Sequence, residues 1–181
     1  MLKKVISIGF VLTVVVMGSS SKLESKFLKS VGTTQAELVE LINKQRAKPH
    51  TCGEYGYFKA AGKLVWNQKL HNSAFEHSKD LAISNTFDHL GSGEKSDKSR
   101  KKNRGSLFYE RILNHGYKYH KVGENLGGGQ DNAKQLIKEL MKSPAHCKNI
   151  MDPLYKEVGI AIYIDKNADY KYYWSQNFGL K

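Results

Sequence analysis

The order of elements along the chain predicts an α+β fold or a layered α/β/α sandwich. Apolar residues recur at helical spacing through the first half, in Leu38, Leu41 and Ile42 and again in Leu70, Ala74, His77 and Leu81. Strict alternation appears near the end, at Val158, Ile160, Ile162 and Ile164. Helices first and a strand pair last is the pattern of helices packed on a sheet. With 181 residues, 40% of them hydrophobic, the chain has room for one sizeable core.

Residues 1–18 carry Lys3 and Lys4 and then an apolar run from Val5 to Met17. That run is too short to span a bilayer and suits the apolar part of a signal peptide, so an export leader is expected there. Val16 and Gly18 suit ordinary leader cleavage before Ser19. Val16-Met17-Gly18 also resembles the run before a bacterial lipoprotein cleavage site, but lipid attachment needs a thiol and the chain has Ser19. A lipid anchor, and membrane attachment through it, would require Cys at that position. Residues 19–32 are rich in Ser and Lys and are expected to form a flexible tether. The folded domain is expected over residues 33–181.

Thr34-Gln35-Ala36-Glu37 has the form of a capping box, which satisfies orphan amides at a helix start. Lys48-Pro49 stops that helix. A glycine-containing loop follows, and Asn67 caps a second helix over about residues 67–84. Residues 91–105 form a polar loop with six basic residues and two acids. A short helix is expected over residues 106–114, burying Leu107, Phe108 and Ile112. Gly127-Gly128-Gly129 is expected to break the chain before a helix over 132–141. Tyr170 to Phe178 reads as the partner of the alternating strand.

Lys and Arg number 29 against 17 acids, a formal charge of +12. Without residues 1–18 the balance is still +10, so the basic character belongs to the exported form. Such a surface attracts anionic lipid, nucleic acid or acidic host and envelope polymers. Export removes the chain from its own genome and makes nucleic acid the weakest partner. Lys101, Lys102 and Arg104 in the basic loop are the candidate polyanion contacts.

Several chemistries are excluded by pattern. No His pair has HExxH spacing, and there is no GxGxxG, Walker loop or GxSxG. The two cysteines, Cys52 and Cys147, are an even count in an exported chain, which favours a disulfide. Such a bridge closes a separation of 95 residues, worth ~4 kcal/mol in the chain-entropy picture. The rivals are two free thiols, or a Cys147 nucleophile beside His146. Neighbouring helical residues point in different directions, which counts against that last pairing.

Three strings stand together: Phe87-Asp88-His89, Gly123-Glu124-Asn125-Leu126, and Ser143-Pro144-Ala145-His146-Cys147-Lys148-Asn149-Ile150-Met151. Tyr173-Trp174-Ser175-Gln176-Asn177-Phe178-Gly179 follows them. Leu41-Ile42-Asn43-Lys44-Gln45-Arg46-Ala47 and Leu64-Val65-Trp66-Asn67 precede them. In this order they resemble the bacterial, SCP-like branch of the CAP superfamily of cysteine-rich secretory, antigen 5 and pathogenesis-related proteins. The resemblance runs from about Thr34 to Phe178. It implies an α/β/α sandwich with a central cleft carrying two His and two acids. His89 and His146 match the two His, and Glu124 the first acid. Glu139 is nearest to the second acid but sits where its helix would point elsewhere. Some members also carry Cys at the places of Cys52 and Cys147, which supports the bridge.

The cleft residues are therefore expected to be His89, Glu124, Asn125 and His146. Two neutral imidazoles coordinate a divalent metal such as zinc, and Glu124 would be a third ligand or a general base. The plainer reading is a hydrogen-bonded network that fixes the cleft. No nucleophile or oxyanion donor is evident, so a non-enzymatic, monomeric binding module with no required cofactor is the first expectation. A metal-dependent hydrolase, a basic adhesin and a lipid or sterol binder are the alternatives. His77, on its apolar stripe, is expected to be a packed core histidine, and His71 and His115 to His120 to be exposed or local.

Overall fold

The computed structural model describes residues 17–181, with side chains from Lys22 onward. The leader expected over residues 1–18 lies outside them except for Met17 and Gly18. The elements are α1 (Met17–Ser30), α2 (Gln35–Arg46), β1 (His50–Thr51), β2 (Tyr57–Phe58), β3 (Val65–Trp66), α3 (Gln68–Ser84), α4 (Phe108–Asn114), β4 (Lys121–Gly128), α5 (Ala133–Lys142), α6 (Pro144–Met151), β5 (Glu157–Ile164) and β6 (Tyr172–Leu180). The main sheet has the order β3-β5-β6-β4. β3 runs parallel to β5, and the other neighbours are antiparallel. The fold is α+β, with helices on both faces of this sheet.

The pleat of β5 explains the layering. Val158, Ile160 and Ile162 face a core with Leu38 and Ile42 of α2, Leu136, Ile137 and Leu140 of α5, Ile150 and Met151 of α6, and Trp174 and Phe178 of β6. Gly159, Ala161 and Tyr163 point to the opposite face, where α3 lies. At Gly159 a Cβ would sit 2.0 Å from the His71 backbone nitrogen. The bare Cα is what lets α3 settle directly on the sheet. Asn67 caps α3 by accepting from the Lys69 and Leu70 amides, and Thr34 and Glu37 form the capping box of α2.

Two sequence expectations fail on packing. Residues 19–32 are not a flexible tether, because α1 covers most of them. Leu28 and Val31 are buried in the main core, and Phe27 packs on Tyr163. The apolar residues there are few, but their spacing gives one inward face. Gly127-Gly128-Gly129 does not break the chain early. β4 runs to Gly128, and the glycines leave room for Leu136 on one face and for Phe87 and Tyr170 on the other.

Arg46 is fully buried at the end of α2. It donates to the carbonyls of Gly62, Ile150, Asp152 and Tyr155, joining α2, the loop before β3 and the end of α6. Cys52 and Cys147 form a disulfide with Cα atoms 5.5 Å apart, tying the first loop to α6. Replacing both cysteines by Ser is expected to lower unfolding free energy by up to ~4 kcal/mol in urea melts.

Candidate functional site

Glu124 sits on β4, the edge strand, and its side chain is almost wholly inaccessible. A buried carboxylate needs a compensating charge, and Arg111 of α4 supplies it. Arg111 Nη2 donates to Glu124 Oε2 at 2.9 Å and to Oε1 at 3.1 Å. The same guanidinium donates to the carbonyls of Ser106 and His89. It thereby fixes the 87–90 loop against β4.

His89 completes the carboxylate's shell, with Nδ1 donating to Glu124 Oε1 at 2.9 Å. Its side chain is 53% exposed, so the imidazole stands between a buried anion and solvent. His77 Nε2 lies 3.8 Å from the same oxygen and donates to the Asp88 carbonyl at 3.0 Å. His77 is a buried core histidine, as its stripe predicts, and also a neighbour of the site.

His146 reaches the site from the other face of the sheet, on α6. Asn125 Nδ2 donates to the His146 carbonyl, and Asn149 Nδ2 donates to the Glu124 carbonyl and to Asn125 Oδ1. These amides tie α6 to the edge of β4. Glu139, the nearest residue to a second acid, points elsewhere and accepts from Gln130 and Gln135.

The electrostatics separate the three imidazoles. Burial pushes Glu124 up, but Arg111 and then the neighbouring imidazoles outweigh it and hold the carboxyl down at about 2. The hydrogen bond to Glu124 raises His89, against a smaller effect of burial. Burial drives His77 down to about 4, with the Glu124 charge opposing. Burial and then the His89 charge lower His146. The site therefore combines a carboxylate, a guanidinium, one imidazole favoured as a cation and two favoured as neutral rings.

Arg111 was not among the sequence candidates. The available signal was its place beside Ile112 and three residues from Phe108, on the inward stripe of a short helix. His71 is buried rather than exposed, with Nδ1 on the Ile160 carbonyl and Nε2 meeting Glu24 of α1. In the basic loop, Lys101 and Lys102 are exposed. Arg104 is paired with Glu110 through two donors and is less available to a polyanion than the sequence suggested.

The donor set does not fit a resident zinc ion. Among the described residues, no group of three or more His, Cys, Asp or Glu side chains is arranged to hold a metal. His89 and His146 would supply at most two of the four positions of a tetrahedral centre, while both oxygens of Glu124 are already engaged by Arg111 and His89.

The family model described as the cysteine-rich secretory protein family, CAP, matches residues 39–178. The chain is 28% identical over 149 residues to YkwD, an uncharacterized protein of Bacillus subtilis, covering 82% of this chain and 48% of that one. It is 25% identical over 155 residues to the uncharacterized membrane protein YlbC of the same organism, covering 86% and 37%. The chain thus spans less than half the length of these curated relatives. An extracellular SCP-domain protein of Bacillus anthracis shares its fold with a TM-score of 0.62 at 18% identity, over 92% of this chain and 44% of that one. An outer surface protein of Borrelia burgdorferi does so at 0.58 and 15%, over 92% and 96%.

Two predictions follow from the buried pair and the buried ring. Glu124→Gln should destabilise the protein by ~3–5 kcal/mol, because Arg111 is left uncompensated, while Arg111→Met with Glu124→Leu should recover most of that loss. Urea melts of the two variants and the parent check this. His77 takes its proton near 6.5 when unfolded but only near 4 when folded, so stability falls as pH drops through that window. The fall attributable to His77 is roughly 3 kcal/mol. His77→Asn should remove it, read as the difference between parent and variant melting across pH 4 to 6.5.

Proposed function

Because the chain belongs to the cysteine-rich secretory protein (CAP) family, we propose that it is an exported, surface-attached binding module whose groove residues His89, Glu124, Asn125 and His146 meet the ligand. The leader-like residues 1–18 support export. So do the descriptions of two fold neighbours, one extracellular and one an outer surface protein.

The observation that carries the binding reading is that Glu124 is buried and held at both oxygens. Each of its oxygens accepts from Arg111, and one also accepts from His89. A general base must lie within reach of the substrate's proton, and the Glu124 side chain is only 1% exposed. This carboxylate instead favours the charged form of an imidazole that is half open to solvent. The guanidinium and carboxylate cancel, so a protonated His89 leaves the centre with one net positive charge. That arrangement suits a ligand presenting an anionic or hydrogen-bond-accepting group.

The hydrolase alternative would require Glu124 to leave Arg111. The adhesin alternative keeps Lys101 and Lys102 as solvent-facing cations, with Arg104 held by Glu110.

The test is imidazole-resolved NMR of the full chain titrated with an acidic glycan fragment and, separately, with zinc. The glycan should perturb His89, and binding should weaken about tenfold in His89→Ala. Affinity should be present at low pH and decline as pH rises through the raised His89 titration. Tight stoichiometric zinc, with hydrolytic turnover lost in His89→Ala and His146→Ala, would overturn the reading.

A further inference from the structure

Positions 124, 126 and 128 share one face of β4, the face on which the 87–90 loop lies. His89 stands over Glu124 at one end of this row. At the other end Phe87 and Tyr170 lie over Gly128, where a Cβ would sit 3.0 Å from the first ring and 2.8 Å from the second. Four strand residues separate the two places, about 13 Å. The rings have centroids 4.7 Å apart and are 40% and 44% exposed. They are fixed from behind. Buried Tyr173 packs on both and donates its hydroxyl to Asn85 Oδ1, which also accepts from the Asp169 amide. Lys171, directly after Tyr170, holds a φ of 61°, a conformation that strains a residue with a side chain. Beneath the rings, Leu81, Ala82, Leu126 and Tyr173 fill the layer completely enough to be buried. The pair is therefore a platform and not a pocket.

We propose that Phe87 and Tyr170 are a stacking subsite for a neutral sugar ring, and that the ligand of the site is an oligosaccharide whose anionic group reaches His89. This deepens the binding reading above and rests on it. The chemistry of the platform selects the ligand. An apolar side chain or acyl chain binds by entering a cavity, and here the layer below is already filled. A sugar ring instead offers a flat face of C–H groups and a rim of hydroxyls. The two aromatic rings match the face. Uncommitted polar groups match the rim. Among the described residues the Tyr170 hydroxyl and Asn85 Nδ2 make no hydrogen bond, and Asp88 uses only Oδ1, to accept from the Leu90 amide. Asp88 and Asp169, next in sequence to the two rings, disfavour an anion on the platform, while Lys171 is turned onto Tyr172. A neutral ring at Gly128 and an acid at His89 are thus one arrangement, spaced further apart than a single sugar can reach.

The full chain is titrated with glucuronic acid, with a hyaluronan hexasaccharide of alternating acidic and neutral rings, and with neutral chitohexaose, and its aromatic side chains are followed by NMR. Glucuronic acid should perturb His89 alone. The hyaluronan fragment should perturb His89, Phe87 and Tyr170 together and bind about tenfold more tightly. Phe87→Leu with Tyr170→Leu keeps apolar volume but removes the π faces. It should abolish the tenfold advantage and leave glucuronic acid binding unchanged. Far-UV circular dichroism verifies that this variant is folded, and should it not be, Tyr170→Leu alone must still cost about threefold. Chitohexaose separates the subsite from the reading it rests on, because it should shift the two rings and not His89. If the rings respond to chitohexaose while neither acidic ligand reaches His89, the binding reading falls and the stacking subsite stands. The proposal is overturned if hyaluronan shifts His89 but not the rings, or if the folded double variant binds that hexasaccharide like the parent. It is also overturned if acetyl-leucine amide perturbs the rings while neither hexasaccharide does.

Discussion

The burial of one carboxylate governs the arrangement of the site. Glu124 lies on an edge strand with its carboxylate against α3 and α4, where an ionised carboxyl is costly unless neutralised and hydrogen-bonded. Arg111 meets that requirement and, with its remaining donors, holds the Ser106 and His89 carbonyls. One compensating interaction therefore fixes the carboxylate, the start of α4 and the loop carrying His89. Without the anion, the guanidinium would be an uncompensated charge in the same place. This makes the pair a joint constraint on fold and site.

The remainder of the scaffold brings the two sides of the sheet to that edge. Gly159 lets α3 sit against β5, which places His77 and the 87–90 loop over one face of β4. On the other face, Asn125 and Asn149 tie α6 to β4, and the disulfide at Cys147 ties α6 to the first loop. The segments carrying His89 and His146 meet this strand from its two faces. Covalent and polar links thus act where hydrophobic packing alone would leave a short helix such as α6 free to slide.

Much of this was readable from residue pattern. The capping residues Thr34 and Asn67 marked their helices, the alternation at residues 158–164 marked a central strand, and the cysteine count favoured the bridge. Pattern failed where a residue's role depends on a distant partner. Gly127 and Gly128 look like a break until Leu136, Phe87 and Tyr170 are seen to occupy the space their side chains would fill. Arg46 and Arg111 look like surface cations until their acceptors are present, because no local periodicity encodes a carbonyl more than a hundred residues away. The Ser- and Lys-rich segment read as a tether because its apolar residues are few, although they fall on one face.

Two of the His–Glu contacts among the described residues, His71–Glu24 and His89–Glu124, serve different ends, and exposure accounts for the difference. His71 is fully buried, with one nitrogen toward the Ile160 carbonyl and the other toward Glu24. With Nδ1 bonded to the Ile160 carbonyl and Nε2 facing Glu24 out of reach of solvent, the ring joins α1 to α3 and β5. His89 commits one nitrogen to Glu124 and leaves half of its side chain open to solvent. The uncommitted edge is the part available to a ligand, and the carboxylate behind it sets the charge that edge presents. The same pair of residue types is thus a clasp where solvent is excluded on both sides and a recognition group where it is excluded on one.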